Sequence, residues 1–257
     1  MDESFAIFLV VGFLAQIVDG ALGMAYGVVS SSVLLSFGVS PAAASASVHA
    51  AEVFTTAASA GSHIWHRNVN WRLFRILAPA GIFGGLLGTY IVTAIDGAAL
   101  RPYVAAYLGI MGLYILYRAY RAAKPIDQHK AGFVTPLGAL GGFMDAIGGG
   151  GWGPVVTTGL IGAGGAPREV IGTVNTTEFF LSAAISAAFI TALVTGHWQD
   201  AGQLVSYAWA VAGLVVGGVI AAPLAGYVTR ILPQRVLMLA VGSLIVALAI
   251  YQALRLL

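Results

Sequence analysis

Four acidic side chains stand inside long apolar runs of the chain: Asp19, Glu52, Asp145 and Glu178. Ionisable groups in such surroundings are costly, so they normally face a bundle interior, pair with a partner and serve binding or proton transfer. His49 and Glu52 are three residues apart and share a helix face, with Ser45 one turn earlier. Asn175 and Glu178 repeat that spacing beside Thr176 and Thr177. Two chemistries fit. A carboxyl group beside an imidazole can relay a proton, which gives Glu52 or Glu178 a coupling role with His49 as the relay. A carboxylate can instead accept hydrogen bonds from backbone left unpaired at a broken helix. Asp19 and Asp145 each open a glycine-rich interruption and suit that anchoring role better; for Glu52 and Glu178 both readings stand.

The interruptions read DGALGMAYG at 19–27 and DAIGGGGWGP at 145–154. All 12 Lys and Arg lie near the ends of apolar runs, so no cationic side chain is placed at mid-membrane. An anion site would then rest on backbone N–H groups, hydroxyls and helix dipoles, which a helix N-terminus supplies. One helix restarts near Gly27, with Ser30, Ser31 and Ser32 in its opening turns. The other restarts at Pro154, a residue suited to the first helical position, with Thr157 and Thr158 following. The candidate substrate-binding set is therefore Gly23, Gly27, Ser30, Ser31, Gly149, Gly150, Gly151, Gly153, Thr157 and Asn175. The plainer reading is that the glycines only let helices pack closely.

The elements carrying these residues follow from composition. Of 257 residues, 59% are hydrophobic and 9% charged, against about 25% charged in an ordinary globular chain. Twenty-two charged side chains cannot cover a water-facing surface, and 34 glycines suit packed membrane helices. Apolar runs fall at 4–37, 41–64, 72–95, 100–120, 132–163, 167–195, 201–229 and 234–256. Most are long enough to cross a bilayer. The first and fifth are longer and broken by glycine into halves of about 12–16 residues, which fits a re-entrant hairpin or a discontinuous helix. The acidic start, Met-Asp-Glu-Ser, is unlike a secretory signal and reads as mature protein.

A shift of 126 superimposes the two interruptions without a gap from Asp19 to Ala58. Twelve of the 40 positions coincide, against about three or four expected from so biased a composition. Asp19 meets Asp145, Gly23 meets Gly149, Tyr26 meets Trp152 and Glu52 meets Glu178. The expected organisation is a duplication, 1–125 and 126–257. Arg67, Arg72 and Arg75 fall in one loop, Arg118, Arg121, Lys124 and Lys130 in another, and Arg230 and Arg235 in a third. Basic short loops mark the cytoplasm, so loops 64–75, 118–130 and 230–235 are expected there and those around Asp96 and Asp200 outside. The halves are then inverted. The predicted fold is all-α: a polytopic transmembrane helical bundle of two inverted repeats, each with a glycine-broken re-entrant or discontinuous helix, in the cell (inner) membrane. Paired broken helices in inverted repeats are common in secondary transporters.

The segments FLAQIVDGALGMAYGVVSSSVLLSFGVSPAAASASVHAAEVFTT and GALGGFMDAIGGGGWGPVVTTGLIGAGGAPREVIGTVNTTEFF resemble the TauE/SafE family of sulfite exporter-like permeases. So do GGLLGTYI at 84–91 and GGVIAAPLAGYV at 217–228. The resemblance covers most of the chain and rests on the order and duplication of glycine patterns. It implies export of sulfite, organosulfonates or another small organic anion. The first repeat departs from the glycine-rich form: Leu22, Gly23, Met24 and Ala25 stand where the second has Gly148 to Gly151.

The leading expectation is a secondary transporter of small sulfur-containing anions, not an enzyme. The alternatives are an anion channel, a proton- or cation-coupled carrier of another organic anion, a cation carrier using the four acids, and an intramembrane protease. Ser45 and His49 are one turn apart, but no strained nucleophile motif accompanies them. Zero cysteines exclude disulfides and thiolate metal sites. His63 and His66 sit beside Trp65 and Arg67 and read as interfacial anchors, so no metal or cofactor is expected. Trp71, Trp198, Tyr103 and Tyr117 likewise suit interfacial belts. Asn175-Thr176-Thr177 matches a glycosylation pattern but lies in an apolar run. The glycine run lacks the ending of a phosphate loop, which argues against ATP. Expected partners are a small anion, the lipid bilayer and, among proteins, another copy of the chain in a homo-oligomer; no basic stripe suits nucleic acid.

Overall fold

The computed structural model describes residues 3–120, 131–198, 207–231 and 233–256, which are helical throughout apart from short connections. The helices are α1 (Glu3–Leu22), α2 (Tyr26–Ser36), α3 (Pro41–Trp65), α4 (Trp71–Ala94), α5 (Gly97–Arg118), α6 (Ala131–Gly148), α7 (Thr158–Gly162), α8 (Pro167–Val194), α9 (Ala208–Ile231) and α10 (Gln234–Leu256). A π-helical turn, Gly153–Thr157, leads into α7. The expected cytoplasmic loop 118–130 falls mostly outside the described residues, as does the segment around Asp200.

Local chemistry sets these ends. Asn70 caps α4 by accepting from the backbone N–H of Arg72 and Leu73, both at 3.1 Å. Ser40 and Asp96 do the same for α3 and α5. Pro41 and Pro167 stand at the first positions of α3 and α8. Helices α4, α5, α8 and α10 are long and apolar enough to cross a membrane. Large apolar side chains such as Phe83, Tyr103, Ile110, Ile190 and Val194 are exposed around the bundle. Within an apolar core, the interior also collects hydroxyls, His49 and carboxyl groups. An apolar exterior with the buried ionisable groups turned inward is the arrangement of a protein whose outer solvent is lipid.

Both broken stretches fold as helical hairpins. Phe37, at the end of α2, packs on Phe8 of α1 with ring centroids 5.6 Å apart, so α2 runs back along α1. A Cβ on Gly159 of α7 would meet Leu137 of α6 at 3.0 Å, and one on Gly141 would overlap Val156. The reversal occurs at Gly23 and Gly149, whose φ values of 65° and 64° lie in the left-handed region where glycine carries no Cβ penalty. The halves are unequal, which corrects the expected 12–16 residues each: α1 has 20 residues and α2 has 11. The glycines and the aspartate before the turn stay helical because tertiary packing overrides their weak propensity.

The two hairpins open toward opposite ends of α5. Arg101, near its start, donates to the carbonyls of Gly38 and Val39 just past α2. Arg118, its last residue, comes within 3.5 Å of where a Cβ on Gly162 would lie, at the end of α7. Other contacts sort the connections the same way. Arg168 donates to Asn68 and to the His66 carbonyl at one end. His197 stacks on Tyr90 at the far end of α4, with centroids 4.5 Å apart. Residues 66 and 197 therefore lie at opposite ends of the bundle. Each long hairpin arm packs on a helix of the other half, α1 on α9 and α6 on α4. Glycines make the approach close: a Cβ on Gly12 would lie 2.5 Å from the Leu214 carbonyl, and one on Gly88 2.6 Å from that of Phe143. Trp71, Tyr103 and Tyr117 are exposed as belt residues should be, but Trp198 is not. It is buried against Phe189, with centroids 5.4 Å apart, because the chain after α8 folds back onto that helix.

Candidate functional site

The tips of the two hairpins press together at the middle of the bundle. A Cβ on Gly27 would lie 2.6 Å from the Gly149 carbonyl oxygen and 2.8 Å from Gly150 Cα. One on Gly153 would lie 2.5 Å from Met24 Cα and 3.0 Å from the Gly23 carbonyl oxygen. Backbone meets backbone here, with Glu52 Oε1 and Ser31 Oγ alongside. The ties across it are reciprocal: Ser31 Oγ donates to the Gly149 carbonyl at 2.7 Å, and Thr157 Oγ1 donates to the Gly23 carbonyl at 2.6 Å. These residues are equivalents under the 126-residue shift, so each half stitches the turn of the other.

Each turn is also held by its own aspartate. Asp145 Oδ1 accepts from the backbone N–H of Gly151 at 2.7 Å and of Trp152 at 3.0 Å. Asp19 Oδ1 accepts from Tyr26 N–H in a single, longer contact of 3.4 Å. Each aspartate thus accepts from backbone N–H groups of the turn that follows it, with two short bonds at Asp145 and one long one at Asp19. Resident carboxylates occupy the helix N-termini that the sequence marks as anion sites.

The tip of the first hairpin is strained. Ala25, equivalent to Gly151, has φ 126°, a region an alanine enters at a cost of about 1–3 kcal/mol. Ala25→Gly is expected to stabilise the protein by about 1 kcal/mol, read as a higher thermal midpoint in detergent. An unchanged or lower midpoint would mean that neighbouring packing, not backbone strain, sets this turn.

Beside the junction His49, Glu52 and Asp145 bring one polar atom each within 4.8 Å of one another, all three buried. His49 Nε2 lies 3.1 Å from Asp145 Oδ2, an imidazole of α3 facing a carboxyl group of α6. Ser182 Oγ of α8 donates to Glu52 Oε2 at 3.1 Å. Glu52 also lies against the junction, 3.0 Å from where a Cβ on Gly27 would be. The trio is compact enough for a cation, but its atoms already engage Ser182 and one another. It is therefore read as a hydrogen-bonded cluster and no metal is assigned.

The candidate residues thus separate into groups. Gly23, Gly27, Gly149, Gly150, Gly153, Ser31 and Thr157 meet at the junction, whereas Gly151 lies against Tyr107 and its own hairpin, held by Asp145; Asp19 holds the other turn. Ser30 is buried, and its hydroxyl has no partner among the described residues. Asn175 donates to the Ile171 carbonyl within its own helix, and its side-chain oxygen is buried without a described partner. Glu178 is buried on α8. The pairing of His49 with Asp145 and of Glu52 with Ser182 was not visible in the sequence. A usable signal for Ser182 was its place one turn after Glu178, equivalent to Thr56 after Glu52.

A lipid-facing helical bundle with two hairpin tips meeting at a buried polar centre defines a polytopic membrane transport protein. The chain belongs to the sulfite exporter TauE/SafE family, whose model matches residues 8–252. It is 42% identical over 250 residues to "Probable membrane transporter protein YtnM" of Bacillus subtilis (strain 168), covering 95% of this chain and 81% of that one. No solved structure matches the chain.

Proposed function

We propose that this protein is a secondary transporter of small sulfur-containing anions such as sulfite or organosulfonates, acting as an exporter in the cell (inner) membrane. Membership of the TauE/SafE family supports the substrate class. The observation that carries the mechanism is the reciprocal stitching of the two hairpin tips. Two equivalent turns that hold each other by single hydroxyl bonds can part and rejoin when the halves rock about them. We further propose that residues 1–125 and 126–257 form inverted repeats, with loops 64–75, 118–130 and 230–235 cytoplasmic. The opening of the hairpins toward opposite ends of α5 and the basic residues of those loops support this reading.

The anion binds when the tips separate. Backbone N–H groups at Gly151 and Trp152, and those of the opening turn of α2, then face a solute oxyanion in place of a resident carboxylate. No cationic side chain is needed, because several N–H donors and the helix dipole supply the positive potential. Glycines on both sides keep the main chain close to the solute, and Ser30 adds a hydroxyl. Purified protein in liposomes should show sulfite or sulfonate counterflow: labelled anion outside accumulates against unlabelled anion inside. A channel would equilibrate the label without overshoot. Competition among sulfite, sulfoacetate, taurine, thiosulfate and simple carboxylates then ranks substrates. No competition by any sulfur-containing anion would overturn the substrate class.

A further inference from the structure

The hydrogen inventory around His49 leaves one proton to be placed. Its Nδ1 lies 2.8 Å from the Ser45 carbonyl oxygen, which can only accept. It also lies 3.2 Å from Ser45 Oγ, but that hydroxyl gives its single hydrogen to the Ala146 carbonyl at 2.6 Å. Nδ1 must therefore be the donor, and a neutral imidazole has only one N–H. Nε2 would then present a lone pair to Asp145 Oδ2 at 3.1 Å, two acceptors in contact with no hydrogen between them. A further proton resolves this, and it fits the gap without displacing any group.

We propose that His49 Nε2 and Asp145 Oδ2 share one exchangeable proton across the two halves, and that this proton travels with the transported anion. The inference rests on the reading of the protein as an anion transporter. Asp145 connects the two events. Its Oδ1 holds the N–H groups of Gly151 and Trp152, and a carboxylate holds such donors more strongly than a protonated carboxyl group does. Proton loading therefore releases donors to the solute, and anion affinity rises as pH falls.

The surroundings favour this coupling. The ionisable groups acting on the pair and its neighbours are Glu52 on α3, Asp19 on α1, Tyr26 on α2, Tyr107 on α5 and Glu178 on α8. None is cationic. Helix α9 carries its ionisable residues, Tyr227 and Arg230, only in its last turns, and those of α4 (Arg72, Arg75 and Tyr90) lie toward its ends. An anion entering this acidic centre brings like charge, and a proton offsets it. The site is single despite the duplication. The equivalents of His49 and Asp145 are Asn175 and Asp19, and an amide nitrogen cannot take up the proton.

The test combines two measurements. Histidine-labelled protein in nanodiscs is followed by nitrogen NMR through a pH titration. Liposomes carrying a trapped pH dye are given a gradient of methanesulfonate, which does not itself titrate. The expected result is about one proton moved per sulfonate in the unmodified protein. The variants His49→Asn and Asp145→Asn should lower that ratio to under about a tenth. The Asn at 145 can still accept from Gly151 and Trp152 and offers His49 a fixed N–H, so it tests the proton without removing the turn's anchor. In the spectra, the Nε2 signal of His49 should titrate, vanish in His49→Asn and stop titrating in Asp145→Asn. Sulfonate flux without proton movement, or equal proton movement in both variants, overturns the coupling. A metal retained by the purified protein and lost in His49→Asn overturns the shared proton. If a titrating Nε2 is seen but no sulfur-containing anion moves, the transport reading fails while the shared proton stands.

Discussion

Gly153→Val is expected to cut anion counterflow to below about a tenth of the unmodified protein while the chain still inserts and purifies. The physical reason is local and large. A Cβ at 153 would come within 2.5 Å of Met24 Cα and 3.0 Å of the Gly23 carbonyl oxygen. Those atoms are backbone, which cannot turn aside as a flexible side chain would. Overpacking of this kind costs about 1–3 kcal/mol, and here it forces apart two backbone surfaces that touch. Gly150→Val is expected to act alike, because its Cβ would overlap the backbone of Gly27 and Val28. Gly38→Ala is a useful contrast: no atom lies within 4 Å of its Cβ position, although its φ of 88° is unfavourable for alanine. It should lose some stability and keep most of its flux. Normal counterflow in Gly153→Val would show that the tips need not touch during transport.

Asp145→Ala is expected to be the most destabilising single change in the polar centre, by about 3–5 kcal/mol. It removes the acceptor of two buried backbone N–H groups and the partner of a buried imidazole together. Asp19→Ala loses one long contact of 3.4 Å and no imidazole partner, so it should cost about 1 kcal/mol. Thermal unfolding of both variants in the same detergent checks the order. Equal midpoints would mean that the two aspartates do equivalent work and that the asymmetry between the halves has no energetic weight. Asp145→Asn should recover much of the loss, since its side-chain oxygen can still serve the turn.

The membrane class, the eight apolar runs and the positions of the two breaks were legible from composition and glycine spacing. The starts of α3, α4, α5 and α8 lie within three residues of the expected ones because caps such as Asn70 and Asp96 and the prolines at 41 and 167 act on their immediate neighbours, while the run expected to begin at 201 starts outside the described residues. The equivalence of Ser31 with Thr157 was also visible, but not that each hydroxyl binds the turn of the other half. Trp71, Tyr103 and Tyr117 are exposed, as interfacial residues must be, whereas Trp198 is buried against Phe189 because of how the chain turns after α8.

The sequence by itself determined that this protein lives in lipid and that its polar groups sit at two related interruptions. Those properties depend on composition and on contacts a few residues apart. Only the tertiary structure decided that the interruptions are hairpins, that their tips meet, and that His49 faces Asp145, 96 positions along the chain. Long-range pairing follows from how α3 and α6 pack around the junction. No local pattern specifies it, because an aspartate at the start of a glycine turn looks the same whether or not an imidazole stands opposite.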